Sequence, residues 1–144
     1  MHNFQDLAAR LLALEDRQLG AGATLSDIEA AEHLLGLPIE GGYRHFLSRF
    51  GWGGAGAFEL FGLGKDVPPY LDLVRLTLSE RHEMHPRLAP HLLPLTNDGG
   101  GNLYCLDARI NGEPPIVFWD HEIGPEQEPG LDAPNFAVWL GRLL

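Results

Sequence analysis

Cysteine, lysine and long apolar runs are all scarce in this chain of 144 residues. The only cysteine, Cys105, excludes an internal disulfide and fits a reducing compartment. No apolar run approaches the length of about 20 residues that crosses a bilayer, and the start of the chain lacks the pattern of a signal peptide. The sequence therefore predicts a single-domain cytoplasmic protein that makes no contact with a membrane.

Positive charge is also scarce. The chain has ten basic residues, of which Lys65 is the one lysine, against twenty acidic residues, so its net charge is −10. From Glu113 to Asp132 there are six acids and no lysine or arginine. Such a surface repels phosphate backbones, so we expect no direct binding of nucleic acid, whereas a basic protein would be attracted. The alternative interpretation is that the acidity only keeps the protein soluble.

Motifs that would indicate catalysis or a cofactor are incomplete. Gly51–Gly56 has the spacing of a dinucleotide-binding loop, but it follows a predicted helix and leads into a strand, which favours a simple connection. The His-Glu-Met-His segment at 82–85 lacks the second histidine that a zinc-binding helix needs, and neither His91 nor His121 is a clear third ligand. Cys105 is expected to be buried in a strand. We therefore predict no catalytic residue, no metal and no cofactor.

Apolar residues at helical spacing predict five helices. Asn3 is a candidate cap for the first helix, over residues 3–18, and Thr24 with Asp27 forms a capping box for the second, which Gly36 ends. Prolines are expected at the start of the other three. The predicted buried faces consist of Phe4, Leu7, Ala8, Leu11, Leu12, Leu25, Ile28, Ala31, Leu35, Ile39, Tyr43, Phe46, Leu47, Phe50, Tyr70, Leu73, Val74, Thr77, Leu78, Phe136, Trp139, Leu140 and Leu143.

Short apolar runs predict a small antiparallel sheet. Asn97–Gly101 supplies the glycines and turn residues of a hairpin, and Leu103–Leu106 reads as a strand buried on both faces. Further strands are expected at Phe58–Phe61 and Ile116–Trp119. The order of helices, strands and a last helix indicates an α+β fold, with the small sheet packed against several helices in one domain.

The order of these segments resembles the SUKH superfamily in its Smi/Knr-like branch. The resemblance covers most of the chain from near Leu25, and the segments that carry it are Ile28–Pro38, Tyr43–Gly54, Leu95–Asp107, Val117–His121 and Phe136–Leu140. The family's Gly-Gly pair usually follows Asn, whereas here it follows Trp52. The resemblance implies a SUKH-like domain over residues 21–144, preceded by an N-terminal helix, residues 1–20, as a possible accessory element.

Many members of this superfamily are bacterial immunity proteins that bind a toxin domain, often a nuclease, and block it without chemistry. The resemblance therefore implies a non-enzymatic immunity protein whose partner is a cognate toxin domain. We expect it to be a monomer or a weak dimer. One alternative is a regulatory or scaffolding module that binds a host protein, and a metal protein built on the histidines is a weaker alternative.

The residues predicted to bind the partner are exposed acids near the sheet edge and in loops, together with one aromatic side chain. They are Trp52, Glu59, Asp98, Asp120, Glu122, Glu126 and Glu128. Trp52 lies in a glycine-rich loop and could act as a rigid anchor, although packing over a helix end is an equal alternative. Trp119 and Trp139 are expected in the core.

Overall fold

A computed structural model describes residues 3–56 and 58–144, and over these ranges the chain forms five α-helices and two antiparallel sheets. The helices are α1 (Phe4–Leu12), α2 (Leu25–Leu35), α3 (Gly41–Arg49), α4 (Leu73–His82) and α5 (Phe136–Leu143). The strands are β1 (Arg17–Leu19), β2 (Gly53–Ala55), β3 (Phe58–Leu60), β4 (Leu92–Asn97), β5 (Leu103–Asp107), β6 (Ile116–Trp119) and β7 (Gly130–Ala133). The predicted α+β class is confirmed, with two small sheets in place of one.

The predicted caps of the first two helices are present. The Asn3 side chain accepts the backbone N–H of Asp6 at 2.9 Å. Thr24 and Asp27 form the full capping box, in which each side chain accepts the backbone N–H of the other residue. Gly36 ends α2 with φ of 67°, a left-handed conformation that favours glycine. These local signals therefore set the helix ends as the sequence indicates.

The prediction that the first helix extends to residue 18 was wrong. The helix ends at Leu12, and Arg17–Leu19 instead forms β1, which pairs antiparallel with Gly53–Ala55. Pairing with a distant segment therefore overrides the helical pattern in this stretch. Met1 and His2 lie outside the described residues, and the division of the chain near residue 20 stays a prediction.

The helices that were expected to start at prolines start a few residues later. Helix α3 follows Glu40, α4 follows Asp72, and α5 follows Asn135. Asp72 and Asn135 each accept a backbone N–H from the first turn, so a polar cap sets the start of these two helices. Pro69–Leu71 forms a separate 3₁₀ turn before α4.

The core is continuous from α1 to α5. Leu7 and Leu11 of α1 are fully buried in it, and α1 packs against both α3 and α5. Most of the predicted face residues are buried or half-buried. The exceptions are Leu12, Leu25, Tyr70 and Leu143, which are exposed because they lie at the margins of their helices or, for Tyr70, in the 3₁₀ turn. In residues 3–56 and 58–144, no helix has the length and apolar character needed to cross a membrane.

Two hydrogen bonds join the sheets side by side. The first sheet has the order β1-β2-β3 and the second the order β4-β5-β6-β7. The backbone N–H of Phe61, just after β3, donates to the carbonyl of Leu95 in β4 at 2.8 Å. The Thr96 hydroxyl donates to the carbonyl of Glu59 at 2.6 Å. Strands β3 and β4 are therefore neighbours, and the side chains that follow them can share one surface.

Candidate functional site

The hairpin turn Asn97–Asn102 is organised by one carboxylate. Asp98 accepts the backbone N–H groups of Gly100 and Asn102 at 2.7 and 3.1 Å, and the Asn102 side-chain amide at 2.9 Å. Burial alone would raise the pKa of Asp98, but these hydrogen bonds outweigh it and hold the pKa below its usual value. Asp98 is therefore ionised, and its negative charge is fixed at the tip of the second sheet.

Asn102 connects this turn to the loop after β6. Because its amide nitrogen donates to Asp98, its side-chain oxygen is the acceptor that faces His121. That oxygen lies 3.1 Å from the backbone nitrogen of His121 and 2.6 Å from the ring Nδ1. The ring therefore carries its hydrogen on Nδ1. The hairpin turn and the loop after β6 form one contiguous surface as a result.

The loop over residues 120–129, here called the acidic loop, is held by Gln127. The Gln127 amide group donates to the carbonyls of Asp120 and Gly124 at 2.7 and 2.9 Å. Its side-chain oxygen accepts the backbone N–H of Asp120 at 3.0 Å. Asp120 in turn accepts the backbone N–H of Glu122 at 2.9 Å. The loop is therefore ordered by its own polar groups, while Glu122 and Glu126 remain exposed.

One arginine lies beside the acidic loop, which the sequence did not indicate. Arg109 donates to both carboxylate oxygens of Asp107 at 3.0 and 2.8 Å, and its guanidinium is 3.8 Å from a carboxylate oxygen of Glu128. The hydrogen bonds from Arg109 lower the pKa of Asp107. The Glu128 side chain is 88% exposed, so its pairing with Arg109 is weak. Even so, Arg109 balances part of the charge of Glu128, so Glu128 offers less free negative charge than Glu126.

A cleft with a volume of ≈ 700 Å³ opens between the two sheets and α5. Two predicted site residues, Glu59 and Asp98, line this cleft together with Asp132, a third acid that was not singled out. Other residues that line it are Phe58, Phe61, Tyr70, Thr96, Tyr104, Trp139 and Arg142. Tyr104 is half-buried between the buried Leu103 and Cys105, which places it on the cleft side of β5, and no alternation in the apolar run Leu103–Leu106 indicates this from sequence.

Trp52 is separated from the acids with which it was grouped. Its indole N–H donates to a carboxylate oxygen of Asp66 at 3.0 Å, and its half-buried ring lies against Gly20. It lines a different groove, together with Arg17 and Arg49. The predicted site residues therefore fall into three places: the cleft, the acidic loop and this groove.

The described histidines, residues 33–121, and Cys105 form no recognisable reaction centre. Within the described part of the chain, no three His, Cys, Asp or Glu side chains are placed to hold a metal ion together. Cys105 is fully buried, as predicted, and burial raises the pKa of its thiol well above the usual value. A thiol in such an environment is a poor nucleophile.

Comparison with known families agrees with the resemblance seen in the sequence. The family model described as SMI1-KNR4 cell-wall, of the SUKH group, matches residues 4–144. The match includes α1 and therefore extends the likeness beyond the segments after Leu25. No curated protein matches the chain.

Proposed function

The chain belongs to the SUKH family of SMI1-KNR4 proteins, and from that premise we propose that it is a non-enzymatic immunity protein. It would bind a cognate bacterial toxin domain in the cytoplasm and block it by covering its surface. A nuclease domain suits the charge of this protein, since a surface that grips phosphate is basic and an acidic protein can fill it. The net charge of −10 would also accelerate the encounter.

The observation that carries this proposal is the ordered acidic loop. Gln127 holds its backbone, yet the Glu122 and Glu126 carboxylates make no hydrogen bond or ion pair with any described residue. Charges that do not stabilise the fold are available to a partner. Ile123 in the same loop is 67% exposed, which gives the acidic rim an apolar centre, as protein interfaces commonly have.

The predicted binding residues take different roles in this proposal. Asp98 and Asp120 act mainly by building the turn and the loop, since their carboxylates accept backbone N–H groups. The residues proposed to contact the partner directly are Glu59, Glu122, Glu126 and Glu128. Trp52 is proposed as a separate contact, because its groove lies apart from the cleft.

The test is binding to the toxin domain encoded by the adjacent gene. The association rate is measured by stopped flow at low and physiological salt for the native protein, Glu126→Lys and Glu29→Lys. Both variants change the net charge equally, but Glu29 lies on α2, which packs against α3 and α4. We expect Glu126→Lys to slow association by about tenfold at low salt and Glu29→Lys to have a much smaller effect.

Protection from the toxin in cells is the second readout. Glu126→Lys should weaken protection without lowering the melting temperature, because this side chain is exposed and its carboxylate has no hydrogen bond or ion pair with a described residue. No binding to the toxin even at low salt would contradict the proposal. Binding to a host protein in place of a toxin, without protection, would favour the regulatory or scaffolding alternative.

A further inference from the structure

The cleft between the sheets has walls of two kinds. Aromatic rings form one kind: Tyr104 packs against Trp139 of α5, with ring centres 5.9 Å apart, and Phe58 and Tyr70 also line the cleft. The carboxylates of Glu59, Asp98 and Asp132 form the other kind of wall. A volume of ≈ 700 Å³ is within the range of pockets that enclose a small ligand or an inserted side chain.

The charges in the cleft are unbalanced. Glu59, Asp98 and Asp132 line it, and among the described residues the one basic residue that lines it is Arg142. Arg142 donates to the backbone carbonyl of Asp132 at 2.6 Å, and none of the ion pairs among the described residues involves a carboxylate of the cleft. The excess negative charge is therefore not neutralised within the fold.

The raised pKa values of two tyrosines show where that negative charge acts. Burial raises the pKa of Tyr104, and the nearby carboxylates of Asp132 and Asp98 raise it further. The pKa of Tyr70 is also raised, chiefly because its hydroxyl donates to Glu59 at 2.9 Å. Carboxylates from three separate segments thus act on the same open cleft.

A cationic group that is also flat matches both kinds of wall. A guanidinium stacks on aromatic faces and is weakly hydrated, and it donates to carboxylates in a fixed planar geometry. An ammonium satisfies the carboxylates but stacks less well. Phosphates and other anions are repelled by the same walls. We propose that this cleft receives an arginine side chain presented by the partner, with the guanidinium between Tyr104 and the carboxylates of Glu59 and Asp132.

Asp98 is not a free ligand in this arrangement. Its carboxylate is already engaged by the hairpin turn, so it contributes its charge and fixes the edge of the cleft. Asp132 has no side-chain hydrogen bond to a described residue, and Glu59 has one, from Tyr70. Glu59 and Asp132 therefore have oxygens available to a guanidinium. The identity of the partner in this inference rests on the proposed function, whereas the chemistry of the cleft does not depend on it.

The experiment titrates the isotope-labelled protein with Nα-acetyl-arginine methylamide at low salt and follows its amide and indole NMR signals. The citrulline analogue, which has the same shape without the charge, and the lysine analogue are the matched ligands. We expect saturable shifts at Tyr104, Asp132 and the Trp139 indole with the arginine probe, weaker shifts with lysine, and none with citrulline. Asp132→Asn and Glu59→Gln should each weaken binding by about three- to fivefold, while Glu29→Gln leaves it unchanged.

Three results would overturn the inference: no saturable shift at the cleft up to about 50 mM probe, equal binding of the citrulline analogue, or tighter binding of the lysine analogue. Thermal unfolding of each variant shows whether it is folded, and Glu59→Gln keeps the acceptor for Tyr70. Because the probe is a free amino-acid derivative, its binding does not depend on a toxin. Probe binding without toxin binding would contradict only the proposed immunity function. Toxin binding without probe binding would contradict only the proposal that the cleft receives an arginine side chain.

Discussion

The Tyr43 hydroxyl provides a sharp test of the packing behind the cleft. Tyr43 of α3 is fully buried, and its hydroxyl donates to the carbonyl of Phe61 at 2.5 Å. Phe61 also donates its N–H to β4 and lines the cleft, so this bond fixes the junction between the two sheets. In the described part of the chain no other donor reaches that carbonyl. Burial raises the pKa of Tyr43, so the phenol keeps its proton.

Tyr43→Phe removes this bond and keeps the ring, which packs against Phe46 and Phe136. No cavity forms, so the cost is that of a buried carbonyl left without a partner, about 1–3 kcal/mol in the free energy of unfolding. In a domain of this size that corresponds to a fall in melting temperature of roughly 2–4 °C for each kcal/mol. Urea unfolding measures the change, and the slope with denaturant should stay the same.

Tyr70→Phe is the matched control. It removes the same atom from a side chain that is 58% exposed and donates to an exposed carboxylate, so its effect should stay within about 0.5 kcal/mol. A cost of Tyr43→Phe no larger than that of Tyr70→Phe would contradict this role of the Tyr43 hydroxyl. Such a result would mean that the Phe61 carbonyl finds another donor and that the bond does not hold the junction.

Three further predictions concern the loop, the Asp107 pair and the thiol. Gln127→Ala should accelerate hydrogen exchange of the Asp120 amide and weaken toxin binding at unchanged net charge, while global stability falls by only about 1 kcal/mol because the lost bonds are local. Because the pKa of Asp107 is lowered in the folded protein, its carboxylate stabilises the fold fully above the unfolded pKa of about 4, and this stabilisation is lost as pH falls through the folded pKa. Arg109→Ala should therefore reduce the fall in the free energy of unfolding on the acid side of a stability–pH series. The Cys105 thiol should react with an aromatic disulfide reagent only in the unfolded protein, and fast reaction in native buffer would contradict its burial.

Local chemistry made much of the fold predictable. A capping box needs only Thr24 and Asp27, and a left-handed helix end needs only a glycine such as Gly36, so both can be read from neighbouring residues. The hairpin around Asn97–Asn102 is local in the same sense. These features depend on residues a few positions apart, where the backbone itself sets the distances.

Features that depend on distant pairing were not predictable. Gly53–Ala55 has low strand propensity, yet it is the central strand of its sheet because β1 and β3 approach it closely from both sides. The stretch after Leu12 looks helical on its own and becomes a strand for the same reason.

The candidate site shows the same difference between features set by neighbouring residues and features set by distant ones. The acids of the acidic loop are adjacent in sequence and were predicted as a group, although Arg109 beside Glu128 was not. Glu59 and Asp132 come from different sheets, and only the hydrogen bonds between β3 and β4 together with the position of α5 bring them to one cleft. A sequence shows how many acids there are, but not which of them share a space.

We propose that this protein acts by occupying the surface of another protein, without turning over a substrate. Titrating a fixed amount of active toxin domain with the protein tests this most directly. If the protein blocks the toxin by binding, toxin activity falls in proportion to added protein, reaches its minimum at equimolar amounts and does not decline further with time. Progressive loss of toxin activity at amounts far below equimolar would show catalytic inactivation and contradict block by stoichiometric binding.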